Sequence, residues 1–272
     1  MQNEQPRERG SKSIRCTGVA KTWNEGTVRA LQALVDIDLE VEPSEFVVLL
    51  GPSGCGKSTL LYLISGLELP TGGTIESGGE LVTRPSSDRA LIFQESSLYP
   101  WLSVAENVAF GLKLRGVDRA ARRTVALRVL REVGLADFID KRPDELSGGM
   151  RQRVAVARAL AMQPSVLLMD EPFAAVDVQT RSKLQDFLIN VWRDSKASIL
   201  FVTHSIDEAI ALADRVVVVT ARPGRVKSVV PVTLQRPRDP RAPAFHSLRD
   251  HFIDLLKDEV DRAFAEQEAA AG

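Results

Sequence analysis

Short apolar runs recur along this chain at Phe46–Leu50, Ala90–Phe93, Val166–Met169 and Ser198–Thr203, each with the length and composition of a buried strand. A different pattern precedes them. Val35-Asp36-Ile37-Asp38-Leu39-Glu40-Val41 alternates apolar and acidic residues with period two, which predicts a half-exposed strand. Ser13–Val19 reads as its neighbour, and Pro43-Ser44-Glu45 turns the chain into Phe46. The N-terminal region is therefore expected to form a small antiparallel sheet that feeds a central one. After the turn Pro70-Thr71-Gly72-Gly73, Thr74-Ile75-Glu76 and Glu80-Leu81-Val82 predict a short hairpin. From Val104 to Ile139 the spacing turns helical, with Asp118 as the N-cap of a helix that Gly134 stops. A further helix runs from Ser147 through Val154–Ala161 to a stop at Pro164, and a short one spans Ile206–Ala213. Arg215–Thr220 reads as a strand, and Pro223-Gly224 turns into Val226–Val230. Gln235–Pro243 is broken by prolines like a linker, after which Phe245, Leu248, Phe252, Leu255 and Leu256 recur at the spacing of an amphipathic helix. There is no internal repeat.

The chemistry concentrates at the carboxyl ends of the buried runs. Phe46–Leu50 leads into Gly51-Pro52-Ser53-Gly54-Cys55-Gly56-Lys57-Ser58-Thr59, and Leu60–Ile64 continues as a helix. Strand, glycine-rich loop and helix are the context of a phosphate loop. Its backbone N–H groups and helix N-terminus take phosphate oxygens, Lys57 reaches the outer phosphates, and Ser58 offers a hydroxyl to Mg²⁺. This stretch predicts binding of a nucleoside triphosphate. Val166–Met169 ends in Asp170-Glu171, as a central parallel strand ends at a ligand crevice. Asp170 there suits the Mg²⁺ shell and Glu171 suits a general base toward water. His204 closes the next run, and Gln94 follows Ala90–Phe93. Ser147-Gly148-Gly149 opens its helix as a plain cap or as a second anion site. Trp23, in an otherwise polar segment, is either a packing residue or a ring for adenine to stack on. Leu98-Tyr99-Pro100-Trp101-Leu102 is either core or a partner-docking surface.

Composition narrows the class. With 272 residues and 44% apolar content the chain can build a sizeable core. A formal charge of −1 gives no global field for nucleic acid or anionic lipid, and the basic face of Arg122, Arg123, Arg128 and Arg131 reads as solvated surface. No apolar run approaches a bilayer span, and the N-terminus lacks a signal-peptide core. Cys16 and Cys55 form neither a disulfide framework nor a metal site, so a reduced, cytosolic compartment is expected.

Taken in order, the phosphate loop, Gln94, Leu146–Gln152, the strand to Glu171 and His204 resemble the ATP-binding-cassette (ABC) ATPases over roughly residues 14–235. The resemblance implies an α/β fold, a phosphate-loop NTPase core with an N-terminal antiparallel β subdomain and an inserted α-helical signature subdomain. The expected organisation is a disordered 1–12, a cassette domain at 13–235 with the helical subdomain at about 95–146, and a C-terminal linker and helix at 236–272. By the same resemblance Gln94 is the Q-loop glutamine, also near Mg²⁺, and Leu146–Met150 is the signature motif. Ala174-Ala175-Val176-Asp177 is the D-loop, Glu171 the catalytic carboxylate and His204 the switch histidine, while Trp23 holds the adenine-stacking position. The family implies a head-to-tail homodimer in which Ser147, Gly148 and Gly149 of one subunit close over ATP in the other, with Asp177 also at the ATP site and Mg²⁺ as the accompanying metal.

Phe93-Gln94-Glu95 with Leu98–Val104 and Leu146–Arg153 is similar, more narrowly, to importer ATPases for nitrate, sulfonate and taurine. That implies permease subunits, a periplasmic or extracellular solute-binding protein, and a peripheral place on the cytoplasmic face of the cell membrane. Three departures stand out: Ser44 replaces a usual Gly, Ala174 and Val176 replace usual D-loop residues, and Trp23 replaces a Tyr. The alternatives are an ABC exporter ATPase or a non-transport ABC ATPase, although the chain has no sustained heptad of the kind chromosome ATPases carry.

Overall fold

The computed structural model describes residues 10–174 and 176–271. The expectation of disorder over 1–12 thus falls largely outside the described residues. At its edge Lys12 pairs with Asp88 at 3.0 Å and Ser11 bonds to Ser44.

Strands β1 (Ile14–Trp23) and β2 (Leu31–Val41) pair antiparallel. They bury one face, which holds Ile14, Cys16, Val19, Leu34, Ile37, Leu39 and Val41. The period-two reading of β2 was correct, but β1 runs further than its apolar pattern and takes in Trp23. Strand β3 (Phe46–Leu50) is buried throughout. Ser44 before it has φ 65, a left-handed conformation that glycine adopts without strain, which explains the usual glycine there. Helix α1 (Lys57–Ser65) follows the phosphate loop. Strands β4 (Gly72–Ser77) and β5 (Glu80–Leu81) form the expected hairpin and complete an antiparallel sheet of order β2-β1-β4-β5.

Strand β6 (Arg89–Ile92) belongs to the other sheet. Helix α2 (Val104–Leu114) starts on a capping box in which Ser103 accepts from Glu106 N–H and Glu106 accepts from Ser103 N–H. Helix α3 (Arg119–Glu132) starts on Asp118, which accepts from the N–H of Ala120 and Ala121. Helix α4 (Gly148–Ala161) starts on Ser147. A separate apolar cluster joins Val104, Val108, Leu112, Val129, Leu130, Val154, Ala157 and Ala161. The helical block expected at about 95–146 therefore shares its core with α4, because α4 turns one face to α2 and α3.

Strand β7 (Val166–Asp170), helix α5 (Val178–Ser195), strand β8 (Ser198–Thr203), helix α6 (Ile206–Leu212) and strands β9 (Arg215–Val219) and β10 (Val226–Pro231) follow. The second sheet has order β10-β9-β3-β8-β7-β6. It is parallel apart from β10, which pairs antiparallel with β9. One face packs on α1 and the antiparallel sheet through Val47, Leu49, Leu60, Leu61, Leu63 and Leu168. The other face is covered by a cluster that joins Phe46, Phe173, Phe201 and Leu188 to Phe245, Phe252 and Leu256 of α7 (Pro243–Ala271).

The last helix is thus part of the main core. Each of its two buried phenylalanines contributes about 1.5–3 kcal/mol. The preceding segment, which reads as a linker, is pinned. Arg236 bonds to Asp214 and to the Leu212 carbonyl, while Arg238 donates to the carbonyls of Ile210, Ala213 and Val232. These guanidinium groups satisfy carbonyls that the end of α6 leaves without helical partners. Burial lowers the Arg238 pKa to about 10. Among the described residues, no helix is long and apolar enough to cross a membrane.

Candidate active site

The parallel order places the carboxyl ends of β3, β8, β7 and β6 side by side, and the chain loads that edge with its chemistry. At the end of β3 the phosphate loop has no spare room. A Cβ on Gly51 would sit 2.9 Å from the Val219 carbonyl oxygen. Gly56, at φ 99, would meet Leu34 Cδ2 at 2.7 Å. Both positions require glycine, one for space and one also for backbone conformation. Gly56 stands at the N-cap of α1 and offers no side-chain cap. The first N–H groups of α1 are left for an anion.

Lys57 is 5% exposed, and its Nζ donates to the carbonyls of Gly51 at 2.9 Å and Pro52 at 2.7 Å. The loop thus folds around its own cation. Cys55 is enclosed in the same loop, and burial pushes its thiol pKa up against the pull of Lys57. Ser58 Oγ donates to Asp170 Oδ1 at 2.9 Å, joining the start of α1 to the end of β7. Asp170 is 2% exposed; burial raises its pKa, opposed by the Ser58 hydrogen bond. A hydroxyl and a buried carboxylate are hard oxygen donors, and they fit Mg²⁺, which takes few protein ligands and keeps waters and phosphate oxygens in its shell.

Glu171 has φ 44, a left-handed conformation that costs about 1–2 kcal/mol in a non-glycine residue. Its N–H donates to the Val202 carbonyl, so β8 holds it in that conformation. Backbone strain of this kind is often kept where a side chain must be aimed. The Glu171 carboxylate lies 2.9 Å from His204 Nδ1, as acceptor for an Nδ1–H donor. Lys57, Ser58, Asp170, Glu171 and His204 therefore come together, through the Lys57-to-Asp170 edge and the Glu171–His204 pair.

The remaining candidates stand apart. Among the described residues, the side chains of Trp23, Gln94 and Ser147 make no hydrogen bond to that group. Gln94 is exposed, two residues past Ile92, which pairs with Met169 next to Asp170. Trp23 ends β1, half-buried, with the Lys21 ammonium 4.5 Å from its ring centroid. Ser147 and Gly148 are exposed, and Ser147 Oγ accepts from Met150 N–H at 3.3 Å. Asp177 caps α5 through Thr180 N–H, and hydrogen bonds to its carboxylate hold its pKa down.

Two features escaped the sequence reading. Gln152, 3% exposed on α4, donates to the Phe93 carbonyl at 3.1 Å and so fastens the helix of Ser147 to the segment before Gln94. Leu256, Val260, Ala263 and Phe264 of α7 face Gly51, Pro52, Ser53 and His204 across a cavity of about 260 Å³. The apolar spacing of the last helix was visible in the sequence; its neighbour was not.

The family model of the ABC transporters matches residues 34–174. This chain belongs to the ABC transporter family. It is an ABC ATPase subunit, which hydrolyses ATP for transport. A nitrate import ATP-binding protein from Synechocystis sp. is 46% identical over 83% of this chain and 88% of its own length. A taurine import ATP-binding protein from Burkholderia thailandensis is also 46% identical, over 88% of this chain and 90% of its own length. A solved dimeric ATP-binding cassette, in a post-hydrolysis state bound to ADP and phosphate, superposes with a TM-score of 0.74 at 31% identity. It covers 82% of this chain and all of its own. The ABC ATPase fold expected from the sequence is therefore the fold observed, with its antiparallel sheet, phosphate-loop sheet and helical subdomain.

Proposed function

We propose that this ABC ATPase powers an importer for a small anion such as nitrate, an aliphatic sulfonate or taurine. It would act as a homodimer on the cytoplasmic face of the membrane, with transmembrane permease subunits and an external solute-binding protein as partners. The nitrate and taurine import relatives support the cargo class. The observation that carries the catalytic reading is the Glu171–His204 pair beside the Lys57–Ser58–Asp170 group.

In this reading Lys57 leaves the Gly51 and Pro52 carbonyls for the outer phosphates of ATP, and the open N–H groups of α1 take phosphate oxygens. Trp23 stacks on adenine. Ser58, Asp170 and Gln94 would hold Mg²⁺, which neutralises phosphate charge when bound. Glu171 accepts a proton from the water that attacks the γ-phosphorus, as the bond to the ADP oxygen breaks, and His204 keeps the carboxylate aimed. Ser147, Gly148, Gly149 and Asp177 of the second subunit complete the site.

The permease contact falls to Trp101. Tyr99 packs on Phe110 with ring centroids 4.5 Å apart, and its backbone is held by the buried Asn107. Trp101 is 68% exposed beside it. An aromatic side chain in that position suits an interface anchor, and truncating such an anchor costs about 2 kcal/mol or more. The test is ATP-driven uptake of nitrate, taurine or an aliphatic sulfonate by vesicles holding this chain with its permease. Trp101→Ala should keep the melting temperature and basal ATPase activity while losing permease pull-down and uptake. A Trp101→Ala protein that still binds and drives its permease would remove this docking site.

A further inference from the structure

We propose that Arg181 and Glu208 act as a positioning pair that couples the D-loop to the backbone carrying His204. The inference rests on the roles proposed above for Glu171 and His204. Glu208 lies in the first turn of α6 and is 6% exposed. Its Oε2 accepts from Thr203 Oγ1 at 2.6 Å, and the same Thr203 hydroxyl accepts from Ser205 N–H at 3.0 Å. Thr203 and Ser205 flank His204, so one carboxylate fixes the backbone on both sides of the imidazole. His204 itself is well exposed, and the geometry of its contact with Glu171 depends on that backbone.

The second half of the link comes from α5. Arg181 Nε lies 3.6 Å from Glu208 Oε1, and its Nη2 donates to the Val176 carbonyl at 3.0 Å. Val176 is the residue before Asp177. One guanidinium thus spans the segment that leads into α5 and the carboxylate that anchors His204. The guanidinium is planar and carries its donors in a fixed fork, so a shift at the Nη2 end held by Val176 also moves the Nε end that faces Glu208. A shift of the Val176–Asp177 segment, which the dimer would place against the second subunit, is passed through Arg181 to Glu208, Thr203 and the His204 backbone. A carboxylate buried this deeply is costly without a partner, and Arg181 supplies the charge on its open side.

A merely structural pair would change stability and leave catalysis proportionate. A positioning pair separates them. The full-length protein is assayed for ATP hydrolysis, ATP KM and melting temperature as Arg181→Met, Glu208→Gln, the double variant and Arg181→Lys. Glu208→Gln keeps an acceptor for Thr203 but removes the charge facing Arg181. The expected result is a fall in kcat of about tenfold or more in each single variant, with ATP KM near the parent value. The double variant should fall no further than the singles, as coupled residues do, and Arg181→Lys should recover part of the loss. Thr203→Val, nearly the same shape, should show the same kcat loss and carries the test if the charge changes prevent folding. Unchanged kcat in soluble variants, or losses that multiply in the double variant, would overturn the coupling. Glu171→Gln is run alongside. Full turnover there would reject the proposed general base, whereas an inactive Glu171→Gln beside fully active pair variants would reject this inference alone.

Discussion

Helix α1 starts at a glycine that offers no cap, under a lysine buried in its own loop, whereas α4 starts at Ser147, whose hydroxyl caps it at the surface. Both are helix N-termini with glycines beside them, and both carry the same partial positive charge. The difference lies in what surrounds them. The α1 start is joined to β7 by Ser58 and Asp170, and the next residue, Glu171, carries the carboxylate paired with the His204 imidazole. The α4 start is held from behind, by Arg151 donating to the Leu146 carbonyl and Gln152 donating to that of Phe93. One start has its chemistry attached, and the other is exposed with none beside it among the described residues. That contrast is what the proposed site, shared between two copies of the chain, would require.

The sharpest way to break the comparison is to remove the chemistry from the first site and leave its shape. Glu171→Gln should reduce turnover by about 10²–10⁴, the range of a lost general base, while ATP still binds. Phosphate release beside a nucleotide titration measures both. Normal turnover would mean that the water is activated by another group. A pair of substitutions then separates the two helix starts. Lys57→Ala should weaken ATP binding to the isolated subunit by roughly 10- to 100-fold, the scale of a lost charge-assisted hydrogen bond. Ser147→Ala should leave that binding near the parent value and reduce ATP-dependent dimer formation, read by sedimentation. The smallest effect is thermal. The same Ser147→Ala change removes a helix cap and should cost about 1 kcal/mol, seen as a melting temperature a few degrees lower. If Ser147→Ala weakened ATP binding by the monomer as much as Lys57→Ala does, the two starts would belong to one subunit's site.

Much of this was legible in the sequence because the decisive signals are local. Phe46–Leu50, Val166–Asp170 and Ser198–Thr203 are apolar on both faces, and each is a buried parallel strand. Asp118 and Ser147 announce helix starts by their own hydrogen-bonding chemistry, and both cap as expected. What the sequence withheld depends on partners far along the chain. Periodicity gave α7 an apolar face but not the cover it provides beside the phosphate loop. The proline-rich stretch before it reads as a linker because nothing local shows that Arg236 and Arg238 reach back to the end of α6. Trp23 is the last residue of β1, because pairing with Leu31 extends the strand beyond its apolar pattern. The left-handed backbone of Glu171 has no local signature either, since β8 imposes it through Val202.

The strand order of the parallel sheet also constrains how this protein can be made. Strand β3, which carries the phosphate loop, lies between β8 and β9, both synthesised long after it. Phe46 N–H donates to the carboxylate of Asp214, 168 residues further on. Phe46 also shares its apolar cluster with Phe245, Phe252 and Leu256. A nascent chain that has just delivered its phosphate loop from the ribosome therefore has no neighbours on either side of that strand. Its nucleotide site takes shape only when the far half of the sequence has emerged, and the cover over Phe46 closes with the last helix of all.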